Sequence, residues 1–105
     1  MRHRLPDRRS SVTFNAEWQG HDFSVTVGFD PKSGDALEVF ANAKRGAMHS
    51  TIADAAVLIS LALQAGATIR ELRRSLLLET GFNGQELPAS PIGAILAAVD
   101  QEVHG

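Results

Sequence analysis

The chain has 105 residues, no cysteine, 44% hydrophobic and 21% charged residues, and a formal charge of −2 with its four histidines neutral. This length gives one core that buries about two thirds of the unfolded chain's surface, and ordinary apolar content with so little net charge excludes a disordered chain. Lack of cysteine excludes a disulfide scaffold, a thiolate metal site, a cysteine nucleophile and a dithiol relay.

No apolar run reaches the roughly 18 residues of a membrane span, and Met1 to Arg9 lacks the apolar stretch of a secretory signal. The expectation is a soluble cytoplasmic protein without membrane contact. Arg2, Arg4, Arg8 and Arg9 against Asp7 give the first nine residues a charge of +3 and leave −5 on the rest. Residues 1–10 therefore read as a flexible basic arm, able to reach for phosphate or simply solvated, ahead of a single domain over 11–103.

From Ser11 the apolar period is two. Val12, Phe14, Ala16 and Trp18 form one strand, and Phe23, Val25, Val27 and Phe29 a second, joined by a tight turn at Gln19-Gly20 where glycine can take positive φ. Asp30 to Gly34 is a turn by composition. A third strand follows over Ala36 to Asn42 and completes an antiparallel meander with one apolar face.

Beyond Gly46 the period becomes 3.6. Ile52, Ala55, Ala56, Ile59, Ala62 and Leu63 make a stripe that Leu58 and Leu61 widen almost to the full circumference, which predicts a buried central helix of about 15 residues. Thr51 with Asp54 has the capping-box spacing, Ser50 is the other capping candidate, and Gly66 suits the residue just past the helix end. Asp54 then sits in the first turn, where the helix dipole favours it.

Thr68 with Glu71 repeats the capping pattern and opens a second helix to about Leu78, with Ile69, Leu72 and Leu76 inward and Arg70, Arg73 and Arg74 toward water. Gly81 to Leu87 reads as a loop. Ser90-Pro91 opens a third helix, with Ile92, Ile95, Leu96, Val99 and Val103 on one stripe. Strands first and helices afterwards, β-β-β-α-α-α, predict an α+β fold whose sheet packs on the long central helix.

Catalytic signals are lacking. His3, His21, His49 and His104 show no metal-pair spacing, there is no G-x-S-x-G elbow, and no nucleotide-loop or cofactor motif occurs, so no metal site, cofactor or catalytic residue is expected. Ser60, mid-helix, reads as a hydroxyl bonding back to its own backbone. The candidate site is the loop Asn42-Ala43-Lys44-Arg45-Gly46 with His49. There two cations, a glycine and the free N–H groups of a helix start would receive an anion, with Asn42, Lys44, Arg45, Gly46 and His49 as ligands. A solvated loop is the plainer alternative.

Leu37-Glu38-Val39-Phe40, Lys44-Arg45-Gly46 and Ile59-Ser60-Leu61-Ala62-Leu63-Gln64-Ala65-Gly66 resemble the E-[IV]-F, K-x-G-[SA] and I-S-L-A-L-Q-x-G segments of the TSCPD domain family. That small module lies near the C-terminus of adenosylcobalamin-dependent (class II) ribonucleotide reductases and also occurs as short stand-alone bacterial proteins. The likeness runs from about Val12 to Val99, and Ser10 to Trp18 and Ser90 to Ile95 look closest to the stand-alone versions. Where the name motif Thr-Ser-Cys-Pro-Asp would fall, this chain reads Pro88-Ala89-Ser90-Pro91-Ile92, with neither cysteine nor acid. Several stand-alone versions are labelled ribonucleotide reductase by association. That reaction needs a thiyl radical and a reducing cysteine pair on a far larger barrel, so the resemblance implies relationship and not activity.

Three functions follow as expectations. The first is a non-catalytic accessory or binding module, working through protein or small-anion contacts, with a ribonucleotide reductase or another protein of nucleotide metabolism as partner. The second is nucleotide or nucleic-acid binding through the basic arm and Lys44-Arg45, weak because the chain is acidic overall. The third is an enzyme of its own, for which no reaction can be named. A homodimer is also expected, from the two edges of a three-stranded sheet and from Gly93, Ala94, Ala97 and Ala98 on the last helix.

Overall fold

The computed structural model describes residues 11–43, 46 and 48–104. The basic arm of residues 1–10, together with Lys44 and Arg45, lies outside the described residues. Three strands, β1 (Ser11–Trp18), β2 (His21–Phe29) and β3 (Ala36–Ala43), pair antiparallel in the order β1-β2-β3. The helices are α1 (Met48–Gln64), α2 (Ile69–Ser75) and α3 (Pro91–His104), so the fold is α+β with strands before helices, as the change of period predicts.

The register places Val12 opposite Val27, Phe14 opposite Val25 and Ala16 opposite Phe23, while Val39 and Ala41 face Val27 and Val25. One face of the sheet therefore collects Phe23, Val25, Val27, Val39 and Ala41, all buried. The β1–β2 connection has positive φ at both Gln19 (49°) and Gly20 (83°), the combination that matches the right-handed twist of a two-residue hairpin. A register shift at Gly28/Phe29 marks a bulge just before the Asp30–Asp35 turn.

Two helices cover the apolar face where one was expected. α1 packs along β3, and α3 lies across β1 and β2 with Ile95, Leu96 and Val99 at or near zero exposure. α1 buries Ile52, Ala55, Ala56, Ile59 and Leu63, whereas Val57, Leu58 and Leu61 stay 56%, 60% and 58% exposed. The all-round apolar pattern of α1 thus does not mean burial: its inner stripe reaches the core and its outer stripe faces outward. α1 begins at Met48, so Ser50 and Thr51 lie inside its first turn and do not cap it, and Asp54 lies beyond that turn. Its end follows the sequence closely. Gly66 at φ 111° lets Gly66 N–H reach Leu63 O and Ala67 N–H reach Ala62 O, both at 3.0 Å, which satisfies two terminal carbonyls.

Thr68 and Glu71 form the reciprocal box that the sequence predicts, at 2.9 and 3.1 Å. α2 stops at Ser75 and does not continue to Leu78, because Leu76 turns extended and Leu78–Thr80 (β4) pairs with Glu86–Pro88 (β5). The expected loop over Gly81 to Leu87 is therefore the tip and one arm of a small hairpin. Ser90 Oγ accepts from Gly93 N–H at 3.2 Å with Pro91 as the first helical residue, as expected for α3. Gly93 and Ala94 are buried within the protomer, and a Cβ on Gly93 would lie 3.3 Å from Pro88 Cβ, so this small residue serves the approach of α3 to β5.

Candidate functional site

The expected anion loop is only partly described. Asn42 and Ala43 end β3, and Gly46 has φ 90°, a left-handed conformation that suits glycine. His49 N–H donates to Gly46 O at 3.2 Å. The His49 ring lies 3.2 Å from Ala43 O through Nδ1; a carbonyl can only accept, so Nδ1 carries the proton and donates. His49 therefore closes the β3–α1 turn on itself.

A neighbouring set of bonds explains why the β3 edge stays beside α1. Ser60 Oγ accepts from Val39 N–H at 2.8 Å and donates to Val39 O at 2.9 Å. Gln64 Nε2 donates to Leu37 O at 3.3 Å, one helical turn on. Ser60 does not bond back to its own helix. It substitutes for the missing neighbouring strand of β3, and Gln64 and His49 extend that substitution to either side. Between helix and edge lies a groove of about 350 Å³, lined by Val39 to Asn42 with Val57, Ser60 and Leu61. Phe40, 56% exposed on the outer side of β3, extends the apolar surface of Val57, Leu58 and Leu61.

The strongest electrostatic feature lies elsewhere and includes Arg70 and Arg73, which the sequence pattern places toward water. Among the described residues Asp100 on α3 is the charged side chain buried in the fold, at 8% exposure. Arg73 Nη1 meets its Oδ2 at 2.7 Å, His104 Nδ1 donates to its Oδ1 at 2.6 Å, and Arg70 Nε lies 3.5 Å from the same oxygen. Burial pushes the Asp100 carboxyl up, but hydrogen bonds from His104 and Arg73 and the charges of Arg73 and Arg70 outweigh it and hold the group below its ordinary value. Asp100 and His104 share the i,i+4 spacing of one helix face, a signal present in the sequence. The arginines come from α2, nearly 30 positions earlier, and no periodicity links them to Asp100. Among the described residues no three histidine or acidic side chains come together as a metal site would need. No helix there is long and apolar enough to cross a membrane.

The two segments that meet through Ser60 and Val39 are two of the three that carry the resemblance, and a family model of the TSCPD domain matches residues 1–102. The chain belongs to the TSCPD domain family. Neither the curated proteins nor the solved structures offer a match to it. Membership makes the protein a ribonucleotide reductase-related module, and the structure gives the family segments physical roles. In this TSCPD domain Glu38-Val39-Phe40 is the edge strand, Ile59 to Gln64 is the helix whose serine and glutamine close that edge, and Gly66 ends the helix.

Proposed function

We propose that the protein is a non-catalytic binding module that works through protein contacts, the first of them with a second copy of itself. The observation that carries this reading is the face formed by Phe40, Val57, Leu58 and Leu61, each more than half exposed. It sits on two elements held rigidly together by the Ser60–Val39 bonds, and contiguous apolar surface of this kind marks interaction sites. The chain has no cysteine, hence no group for thiyl-radical or dithiol chemistry of its own. A ribonucleotide reductase or another enzyme of nucleotide metabolism is the heterologous partner that the family context suggests for the same face.

Covering the exposed half of four such side chains is worth about 1 kcal/mol each, so a two-fold pair gains about 8 kcal/mol before the cost of association. Association costs at least about 4 kcal/mol, so at most about 4 kcal/mol remains, which corresponds to a dimer of about millimolar affinity. Light scattering across about 0.1–3 mM, a range that brackets such an affinity, should show the mass rising from 11.3 kDa toward twice that value. Leu61→Glu should hold the monomer mass at every concentration, with an unchanged circular dichroism spectrum. A wild-type mass that never rises ends the self-association reading, and a dimer that survives Leu61→Glu moves the interface to the β1 edge of the sheet.

A further inference from the structure

Beside Asp100, α2, the β4–β5 hairpin and α3 enclose a cavity of about 370 Å³, at the lower end of the range for small-ligand sites. Three guanidinium groups, from Arg70, Arg73 and Arg74, reach it from one helix face, since positions i, i+3 and i+4 lie together. One of them, Arg73, is pre-positioned by a hydrogen bond. The Asp100 carboxylate accepts from Arg73 Nη1 on Oδ2 and from His104 Nδ1 on Oδ1, so both its oxygens are occupied, and Arg70 Nε lies 3.5 Å from Oδ1 as a looser ion pair. Asp100 therefore leaves the outer N–H groups of Arg70 and Arg73 free for another acceptor. Arg74 forms no ion pair among the described residues, and neither does Glu86, the other acid lining the cavity.

Much of the remaining lining is apolar: Leu76, Leu77, Leu78 and Pro88 border the cavity, with Leu77 79% and Leu78 52% exposed. Three cations against two acids, with exposed leucines in the same lining, describe a receptor for an amphiphilic anion and not for a free inorganic ion. Guanidinium groups match the paired oxygens of a phosphate.

We infer that this cavity binds a phosphate monoester that carries an apolar group. The phosphate lies on Arg70, Arg73 and Arg74, and the organic group lies on Leu76 to Leu78 and Pro88. Asp100 acts as a positioning residue for the arginines and makes no contact with the ligand.

Titration of the full chain with phenyl phosphate, followed by two-dimensional amide NMR, tests the assignment, with inorganic phosphate and phenol as the two halves of the probe. Phenyl phosphate should move the signals of residues 70–78, 86–88 and 93–97, inorganic phosphate should move them at least tenfold less readily, and phenol should leave them unmoved. Arg74→Gln, at an exposed position without an ion pair, should weaken phenyl phosphate at least tenfold while the melting temperature stays constant, and Arg74→Lys should restore part of the loss. Shifts confined to the Asn42–His49 turn, equal response to inorganic phosphate, or unchanged affinity in Arg74→Gln would each overturn the inference. None of these results bears on the apolar face of α1, so the two readings stand or fall separately.

Discussion

Replacing Asp100 by asparagine should lower the melting temperature by roughly 10 °C at neutral pH, corresponding to about 2 kcal/mol for a domain of this size. Asparagine removes the negative charge that both Arg73 and His104 bond to, and its NH₂ group can face only His104, whose Nδ1 must then give up its proton to accept. Arg70, 64% exposed and 3.5 Å away, adds little because solvent screens it. The effect should also depend on pH. The folded-state carboxyl lies below its ordinary value of 3.8, so its stabilising contribution is fully present above the unfolded value and is lost as pH falls through the folded one. Thermal melts at pH 7, 5 and 3 should show a constant gap between wild type and Asp100→Asn at the upper two values and a narrower gap at the lowest. A gap of constant width down to pH 3 would mean that the charge of Asp100 is not what stabilises the site.

Ser60→Ala should cost about 2 kcal/mol, the second largest effect expected, because a single hydroxyl serves both Val39 N–H and Val39 O. Ordinarily an edge strand solves this problem with water. Here the Ser60 hydroxyl takes that role at Val39, and alanine deletes the oxygen without replacing either bond. Amide hydrogen exchange at Val39 should accelerate, and exchange at Val27, on the central strand, should change far less. Gln64→Ala provides the scale: its bond to Leu37 O is 3.3 Å long and exposed, so its loss should fall within about 0.5 kcal/mol. If Ser60→Ala is no worse than Gln64→Ala, then the hydroxyl is incidental and packing alone holds α1 to β3.

Local rules located most of the elements because each rests on residues adjacent in the chain. Alternation over Val12 to Phe29 produced the hairpin. Thr68 with Glu71, Ser90 with Pro91, and Gly66 produced three helix ends where the structure has them. The same rules failed where a distant segment competes. Leu76 to Leu78 continues a helical apolar pattern, yet pairing with Glu86–Pro88 draws it into a strand. Asn42, Gly46 and His49 are brought to one turn as their spacing suggests, but His49 spends its ring proton on Ala43 O.

The sequence by itself determined the period of the three long strands and of the helices, their order, and the caps at Thr68, Ser90 and Gly66, since these depend on a side chain and neighbours within about four positions, whereas the start of α1 and the β4–β5 hairpin escaped it. The stripe of α1 that is covered was legible too, since Ile52, Ala55, Ala56, Ile59 and Leu63 are the buried residues; that Leu58 and Leu61 stay outside was decided only by the tertiary structure, because β3 lies against one side of the helix. The same holds for Ser60 on Val39 and for Asp100 beneath Arg70 and Arg73, pairs 21 to 30 positions apart. A hydroxyl or a carboxylate is indifferent, in sequence, to whether it meets water or a partner. Packing alone removes the water and leaves the partner as the sole way to satisfy it.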